Sequence, residues 1–573
     1  MPSTSPSVLS IPLTEPAART PELLWWRGRP RLSGLLGEAA LSNVLAARDM
    51  AATKAALARL DGGFAAVWRS GFGKILMATD RFAIEPLCWR LLDNRVVIAS
   101  RADELADLEP SAAVDPVALF DFLYFHVIPS PRTAFSGVAR LSASHAATVH
   151  AGAVEAWRYW TPAFEPPATR PEVPPLAATL RSLLLDATRD AASALQGSVG
   201  CYLSGGTDSS TVAGMLSKAS GATVDAFSIG FEAAGYDEMA YARVAARHFG
   251  CRHHEHYVTT AELTEHLPRV AAHFDQPFGN SSALPAFLCA TMAQGSGTSA
   301  LLAGDGGDEL FGGNARYAKQ RLFSLYGRIP SPVRKGLLEP VLMRTGLGSL
   351  PGLRKAKSYV EQARLPMPAR AELYNLLLRT GLDTVLEPGF RELVHERGPL
   401  EQQQRVWGEC EAETELDRTL AFDWRYTLAE CDLPKVVESA RMASVSVGFP
   451  LLDRRLLDFS MRLPNEYKLR GQQLRWFFKE ALDGFLPREI IEKQKHGFGL
   501  PFGVWCLQDR ELKSLATDCL HSLGNRGIVR QRFTADLINH RLPQHPGYYG
   551  EFVWILCALE LWLRAHRPDT AMR

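Results

Sequence analysis

From Asp61 onward the chain runs in short β-prone stretches. GGFAAVWR, GKILMATD and RVVIASR are each broken off by Gly, Asp or Asn, and together they predict a small β-rich unit. Residues 1–22, rich in Pro, Ser and Thr, predict a flexible arm ahead of a first domain over 23–160. Six prolines within Thr161–Pro175 disfavour both helix and central strand, which predicts a linker over 161–176. A second domain then spans 177–573. In it, strands expected over Val199–Leu203, Thr223–Phe231, His253–Val258 and Ser299–Ala303 alternate with helices over Ser209–Lys218 and Asp237–Phe249. Thr259 and Glu262 carry the capping-box spacing that opens a further helix. Such alternation implies a parallel sheet covered by helices on both faces, with ligands at the carboxyl ends of the strands. Residues 315–570 read as mainly helical, without internal repeats.

Composition narrows the function. A chain of 573 residues exceeds one ordinary core, and 46% hydrophobic with 22% charged residues suits a globular protein that buries large cores. Sixty-three Lys and Arg against 62 Asp and Glu leave a charge of +1, so no field draws the chain to nucleic acid or to an anionic membrane. A small-molecule or peptide substrate is expected. The nine cysteines form no CxxC pair and read as reduced cytosolic thiols, implying a cytoplasmic location. No signal peptide is recognisable and no run of about 18 apolar residues occurs; Phe552–Leu559 is expected to be a buried amphipathic helix.

Two loops carry candidate chemistry. Ser204-Gly205-Gly206-Thr207-Asp208-Ser209-Ser210 follows a predicted strand and precedes a predicted helix. Two glycines let the backbone wrap round an anion, and the N–H groups at the start of the helix point toward it. The loop lacks the lysine of a Walker loop and the glycine spacing of a dinucleotide fingerprint. Asp208 adds a hard oxygen ligand suited to Mg²⁺ on pyrophosphate. The second loop, Ala303-Gly304-Asp305-Gly306-Gly307-Asp308-Glu309-Leu310-Phe311-Gly312-Gly313, again follows a strand and lacks the EF-hand pattern. Asp208 and Asp308 are thereby expected to grip one metal-pyrophosphate from two sides. His253, His254 and His256 lack partners at metal spacing and read as a polar strand.

SGGTDSS, FSIGF at Phe227–Phe231, YDEMAYAR at Tyr236–Arg243, DQPFGNSSALP at Asp275–Pro285 and GDGGDELFGG at Gly304–Gly313 resemble, in order and spacing, the synthetase domain of asparagine synthetases. Phe449–Gly471 and Lys493–Gly503 continue the resemblance, which covers roughly 180–510. It implies a doubly wound ATP-pyrophosphatase domain with a large helical part. Ser204, Gly205, Gly206, Asp208 and Ser209 would bind the pyrophosphate of ATP, with Mg²⁺ on Asp208 and Asp308. Tyr202, Leu203, Ile229, Ala303 and Gly304 would line the adenosine. Lys495 matches the family lysine that neutralises the leaving pyrophosphate and the tetrahedral oxyanion. Asp305 stands where a side chain can accept a proton from the attacking amine. The implied reaction adenylates a carboxylate and passes the acyl group to an amine without a protein nucleophile; neither GxSxG nor HExxH occurs.

LDGGFAAVWR, ATDRFAIEPLCWR, ASRADELADL and Tyr124–Leu141 are similar to the later part of a class II glutaminase domain of the Ntn type. That domain uses an N-terminal cysteine. Here residue 2 is Pro, the first cysteine is Cys88, and the Asn-Gly-Glu glutamine grip is not recognisable. Glutamine hydrolysis in cis is therefore not expected. Free ammonia, an amine brought by a partner and an amine on the substrate itself remain open, and so does a homodimer. Aspartate amidation is the first expectation. A macrolactam or β-lactam cyclase is the alternative, although Asp305 stands where a β-lactam synthetase would carry tyrosine. Val437, in place of an Asp of typical asparagine synthetases, points to a different acceptor pocket. The tRNA-modifying and GMP-forming relatives would bring basic surfaces or another glutaminase, and a non-catalytic regulator is disfavoured by the retained Asp208, Asp308 and Lys495.

Overall fold

In the computed structural model, residues 7–12, 20–109, 112–150, 153–233, 235–327, 329–344, 354–494 and 499–572 are described. Lys495 lies outside them.

The first domain contains two antiparallel sheets. In one, Val8–Pro12, Arg95–Ala99, Cys88–Leu92 and Val138–Arg140 lie side by side; in the other, Ala153–Arg158, His145–His150, Ile75–Thr79, Phe64–Arg69 and Glu22–Gly28. Alternation along each strand gives each sheet two apolar faces. Ala65, Val67 and Met77 meet Val96 and Ile98 of the opposite sheet. Phe64, Ala66 and Trp68 face helices Glu38–Leu45 and Met50–Arg59 through Leu41, Val44 and Leu57. On the other outer face, Val97 and Ala99 pack with Leu119 and Phe122 of helix Pro116–Phe125. The result is a β-rich core with helices outside. The expected arm over 1–22 needs correction: Val8–Pro12 pairs with Arg95–Ala99, because Ile11 has an apolar slot to fill between the sheets.

The expected linker ends early. Helix Val173–Ser193 starts inside it, since prolines at 174 and 175 fall in its first turn, where their missing N–H groups cost nothing. Trp160 and Phe164, ahead of that helix, pack on Trp424 of the second domain.

The second domain is built on a five-stranded parallel sheet ordered Arg252–Val258, Asp225–Phe231, Val199–Tyr202, Ala300–Leu302 and Ser446–Gly448. Cys201, Ala226 and Leu302 face helices Val173–Ser193 and Thr207–Ser220. Phe227 and Leu301 face helices Ala283–Gly295 and Leu433–Met442. The capping box of Thr259 and Glu262 is formed on both sides. Helix Pro546–His566 is buried along Phe552–Leu563 on every side, so the amphipathic expectation there is corrected to an enclosed core helix. Among the described residues, no helix is long and apolar enough to cross a membrane.

The two domains meet along a seam of charged and polar contacts. Asp275 takes Arg140 at 2.6 Å and the Ala102 N–H at 2.8 Å. Arg441 joins Glu85 at 2.5 Å to Glu438 at 2.6 Å. Ser130 donates to Glu430 at 2.6 Å, Arg29 donates to Ser446 at 2.8 Å, and the Gly279 N–H donates to the His126 carbonyl at 2.8 Å.

Candidate active site

The central strand Val199–Tyr202 runs into Leu203-Ser204-Gly205-Gly206 and straight into helix Thr207–Ser220. Gly205 adopts φ 68°, and a Cβ there would lie 2.5 Å from the Tyr241 carbonyl carbon, so only glycine fits the turn against helix Met239–Phe249. The Ser209 hydroxyl ties the loop together: it accepts from the Ser204 N–H at 3.1 Å and lies 3.0 Å from the Ser204 hydroxyl. Lys493 adds positive charge, donating to the Gly205 carbonyl at 3.3 Å while pairing with Glu238 at 2.9 Å.

The neighbouring strand Ala300–Leu302 delivers the second loop at the same end of the sheet. The two turns touch through backbone. A Cβ on Gly304 would lie 2.8 Å from the Ser209 nitrogen and 3.0 Å from the Asp208 carbonyl carbon, and one on Gly307 would collide with the Asp208 carboxylate. Arg475 joins the two acids. It donates to both Asp208 oxygens at 2.5 and 2.8 Å, and the same guanidinium pairs with Asp308. Two carboxylates that share one guanidinium stand close enough to share one divalent cation, so Asp208 and Asp308 fit the Mg²⁺ expected between them. Among the described residues no group of three or more His, Cys, Asp or Glu forms a metal cluster.

Asp305 points to another cation. Lys435 lies 3.7 Å from it and 3.4 Å from Asp432. Burial raises the Asp305 carboxyl above its ordinary range, Lys435 opposes that shift, and Asp432 and Asp208 reinforce it. Lys435 is itself raised: burial alone would lower it, and the neighbouring Asp432 and Asp305 outweigh that cost. Glu309, deeply buried near Asp432 and Asp423, is pushed up to about 8, first by burial and then by those charges.

Leu203 and Ala303 are buried in the core, and their backbone N–H groups donate to the Phe227 and Gly448 carbonyls at 2.8 and 2.9 Å. The Tyr202 hydroxyl is buried without a hydrogen-bond partner among the described residues. Burial, then the charges of Cys289 and Asp305, drive it well above its usual range. Ile229 sits on Asp225–Phe231, two residues past the Tyr202–Phe227 register pair. The three histidines each face an acid: His253 Glu255 at 3.2 Å, His254 Asp225 at 2.7 Å and His256 Glu262 at 2.8 Å. Val437 is buried at the domain seam. Three cations of the site, Arg475, Lys435 and Lys493, carry no signal of that role in the sequence, because each reaches the loops from a distant segment.

The asparagine synthase family model matches residues 179–564, and a glutamine amidotransferase domain model matches 41–160. This chain belongs to the asparagine synthase family. Among its relatives, asparagine synthetase (glutamine-hydrolyzing) 1 of Bacillus subtilis strain 168 is 25% identical over 461 residues, 78% of this chain and 69% of that protein. A putative asparagine synthetase (glutamine-hydrolyzing) of Mycobacterium tuberculosis H37Rv is 27% identical over 462 residues, 78% of this chain and 68% of that one. A solved structure of glutamine phosphoribosylpyrophosphate amidotransferase from B. subtilis, complexed with ADP and GMP, aligns with 48% of this chain and 60% of that chain at 13% identity and a TM-score of 0.16. As a member of the asparagine synthase family, the chain is an ATP-dependent ligase that forms carbon–nitrogen bonds.

Proposed function

We propose that this chain activates an aspartate-like carboxylate by adenylation between its two glycine-rich loops and passes the acyl group to ammonia or another amine. The observation that carries the reading is the convergence of Asp208 and Asp308 on the Arg475 guanidinium. Ser204, Gly205, Gly206 and Ser209 cradle the pyrophosphate of ATP at the start of helix Thr207–Ser220, where free N–H groups favour anions. Asp208 and Asp308 would hold Mg²⁺, which supplies neutralisation of the pyrophosphate charge. Tyr202, Leu203, Ile229, Ala303 and Gly304 hold the adenosine. The substrate carboxylate displaces pyrophosphate from the α-phosphate, and an amine then displaces AMP from the acyl-adenylate. Asp305 accepts the proton released by the amine, with Lys435 beside it to hold the carboxylate charged, and the family resemblance gives Lys495 the part of neutralising the leaving pyrophosphate.

The amine does not arise from glutamine within the first domain. The only thiol of that domain, Cys88, is fully buried and pushed up to about 12 by burial, far from the thiolate a nucleophile needs. An intramolecular cyclase is the second reading, favoured by Val437 where typical relatives carry Asp.

ATP–pyrophosphate exchange tests the proposal across a panel of carboxylic acids. Mg²⁺-dependent exchange with aspartate supports amidation, and exchange confined to amino-bearing peptides or acids supports the cyclase. Exchange with no acid defeats both.

A further inference from the structure

The seam between the two domains encloses a cavity of about 80 Å³ beside the edge strand Ser446–Gly448. The first domain gives it Arg29, Arg31, Arg81 and the turn Asp61-Gly62-Gly63. The second closes it with the end of helix Val173–Ser193 and with Val447, Phe449 and Leu452.

The acids around this cavity are already engaged. Asp61 pairs with Arg31 at 2.9 Å and lies 3.6 Å from Arg81. Asp80 accepts the N–H groups of Phe64, Phe82, Ile84 and Glu85 at 2.9 to 3.2 Å. Glu85 pairs with Arg441 at 2.5 Å.

Arg29 is left over. Its main-chain N–H donates to the Gly63 carbonyl at 2.7 Å, which fixes it at the cavity, and its guanidinium donates to the Ser446 hydroxyl at 2.8 Å. Among the described residues that neutral hydroxyl is the one hydrogen-bond partner of the side chain, and no carboxylate pairs with it. Burial lowers the guanidinium below its ordinary value, Glu85 opposes that shift and Arg441 adds to it. A half-buried charge without a counter-ion is costly in the free protein, and a ligand that carries the missing charge recovers that cost.

The walls decide which anion fits. Beyond the arginines the cavity is lined by Phe82, Ile84, Leu195, Val447, Phe449 and Leu452, whose side chains offer no donors for the several oxygens of a phosphate. An apolar cavity of about 150 Å³ admits benzene, so about 80 Å³ leaves room for about three to five non-hydrogen atoms. One carboxylate on a short aliphatic tail matches both the charge and the walls.

We propose that this cavity binds a short-chain aliphatic carboxylate, its carboxylate on Arg29 and its tail against Ile84, Val447 and Leu452, so that the ligand bridges the two domains. The site is separate from the ligase centre and does not depend on the ligase reading. It is nevertheless close to the second glycine-rich loop: a Cβ on Gly306 would lie 2.3 Å from the Leu452 Cδ2, so Leu452 stands between the cavity and that loop.

The test is a ligand-observed NMR titration of the full-length protein at constant ionic strength, with propionate against propionamide, inorganic phosphate and glutamine. Propionate should bind with a Kd of about 1 mM, within the ceiling for a ligand of about five atoms, and should raise Tm as its concentration rises. Propionamide keeps the tail without the charge and should bind about tenfold more weakly or worse, the factor expected of a hydrogen bond to a charged group. R29M should weaken propionate by a similar factor, and R29K, which keeps the charge, should recover part of the loss. Equal binding of propionate and propionamide, or unchanged propionate binding in R29M, would overturn the assignment. Tighter binding of phosphate or glutamine than of propionate would overturn it as well, because neither suits the apolar walls. The comparison of propionate with propionamide needs no variant, so it decides even if R29M fails to fold.

Discussion

Arg475 lays its guanidinium across both oxygens of Asp208, at 2.5 and 2.8 Å, from a residue held at φ 54°. The same group reaches Asp308, so one side chain carries the countercharge of two acids on separate loops. Left-handed backbone is disfavoured for a non-glycine residue, and the ion pairs offset that cost. Arg475 and a magnesium nucleotide thus compete for the same carboxylates, or share them.

R475A should leave two part-buried carboxylates facing each other. Loss of about 3 kcal/mol of stability is expected, the lower end of the range for removing one partner of a buried pair. Thermal unfolding should show a lowered Tm that MgATP restores more strongly than in the wild-type protein. An R475A protein as stable as wild type without nucleotide would contradict the shared-countercharge view.

Glycines 304 and 307 let the two loops meet. In G304A the added methyl would press on the Ser209 nitrogen, and in G307A it would press on Asp208. Each should cost about 100-fold or more in exchange rate, because a displacement of about 1 Å at a reacting centre has that effect. Far-UV circular dichroism should stay unchanged. Rates within threefold of wild type would show that the facing turns do not set the catalytic geometry.

Glutamine should be a poor nitrogen source. Amide formation is expected with ammonium or a free amine, no glutamate should appear when glutamine alone is supplied, and C88A should turn over within twofold of wild type. Stoichiometric glutamate release would point to a nucleophile elsewhere.

The domain seam should weaken in acid. Burial alone would raise Glu438, yet Arg441, His273 and Arg101 hold it at about 2, below its ordinary 4.5. A carboxyl depressed on folding stabilises the native state above the unfolded value, and that contribution fades as pH falls from about 4.5 toward 2, amounting to about 3 kcal/mol. E438Q should therefore show a flatter loss of stability between pH 5 and pH 2.5 in chemical denaturation. Parallel acid profiles would exclude Glu438 as the titrating group.

The loops were legible because their chemistry is local: glycines, acids and the start of a helix fall within a few residues of one another. The strands ahead of them were legible for the same reason, since Val199–Tyr202 and Asp225–Phe231 are apolar runs closed by turns. Arg475, Lys435 and Lys493 were not legible as partners. Each reaches the site from a distant segment, and nothing in the spacing around it records which acid it will meet. Ser446–Gly448 escaped as well, because three residues give no periodicity and only pairing with Ala300–Leu302 makes them a strand. The helix over 173–193 was hidden by prolines that belong to its first turn. On Pro546–His566 the apolar run was visible, but enclosure on every side depends on packing partners from remote parts of the chain.

The polar seam has a consequence for any attempt to divide the chain. Asp275 draws its arginines, Arg140 and Arg101, from the amino-terminal half, and Arg441 draws Glu85 from there too. A fragment starting near residue 177 would leave Asp275 a naked anion on a newly wetted surface, at the head of the motif that runs to Pro285. Excising the first half would thus remove counter-ions from the second, and a loss of turnover in such a fragment would reflect that missing support even if the first half performs no chemistry of its own.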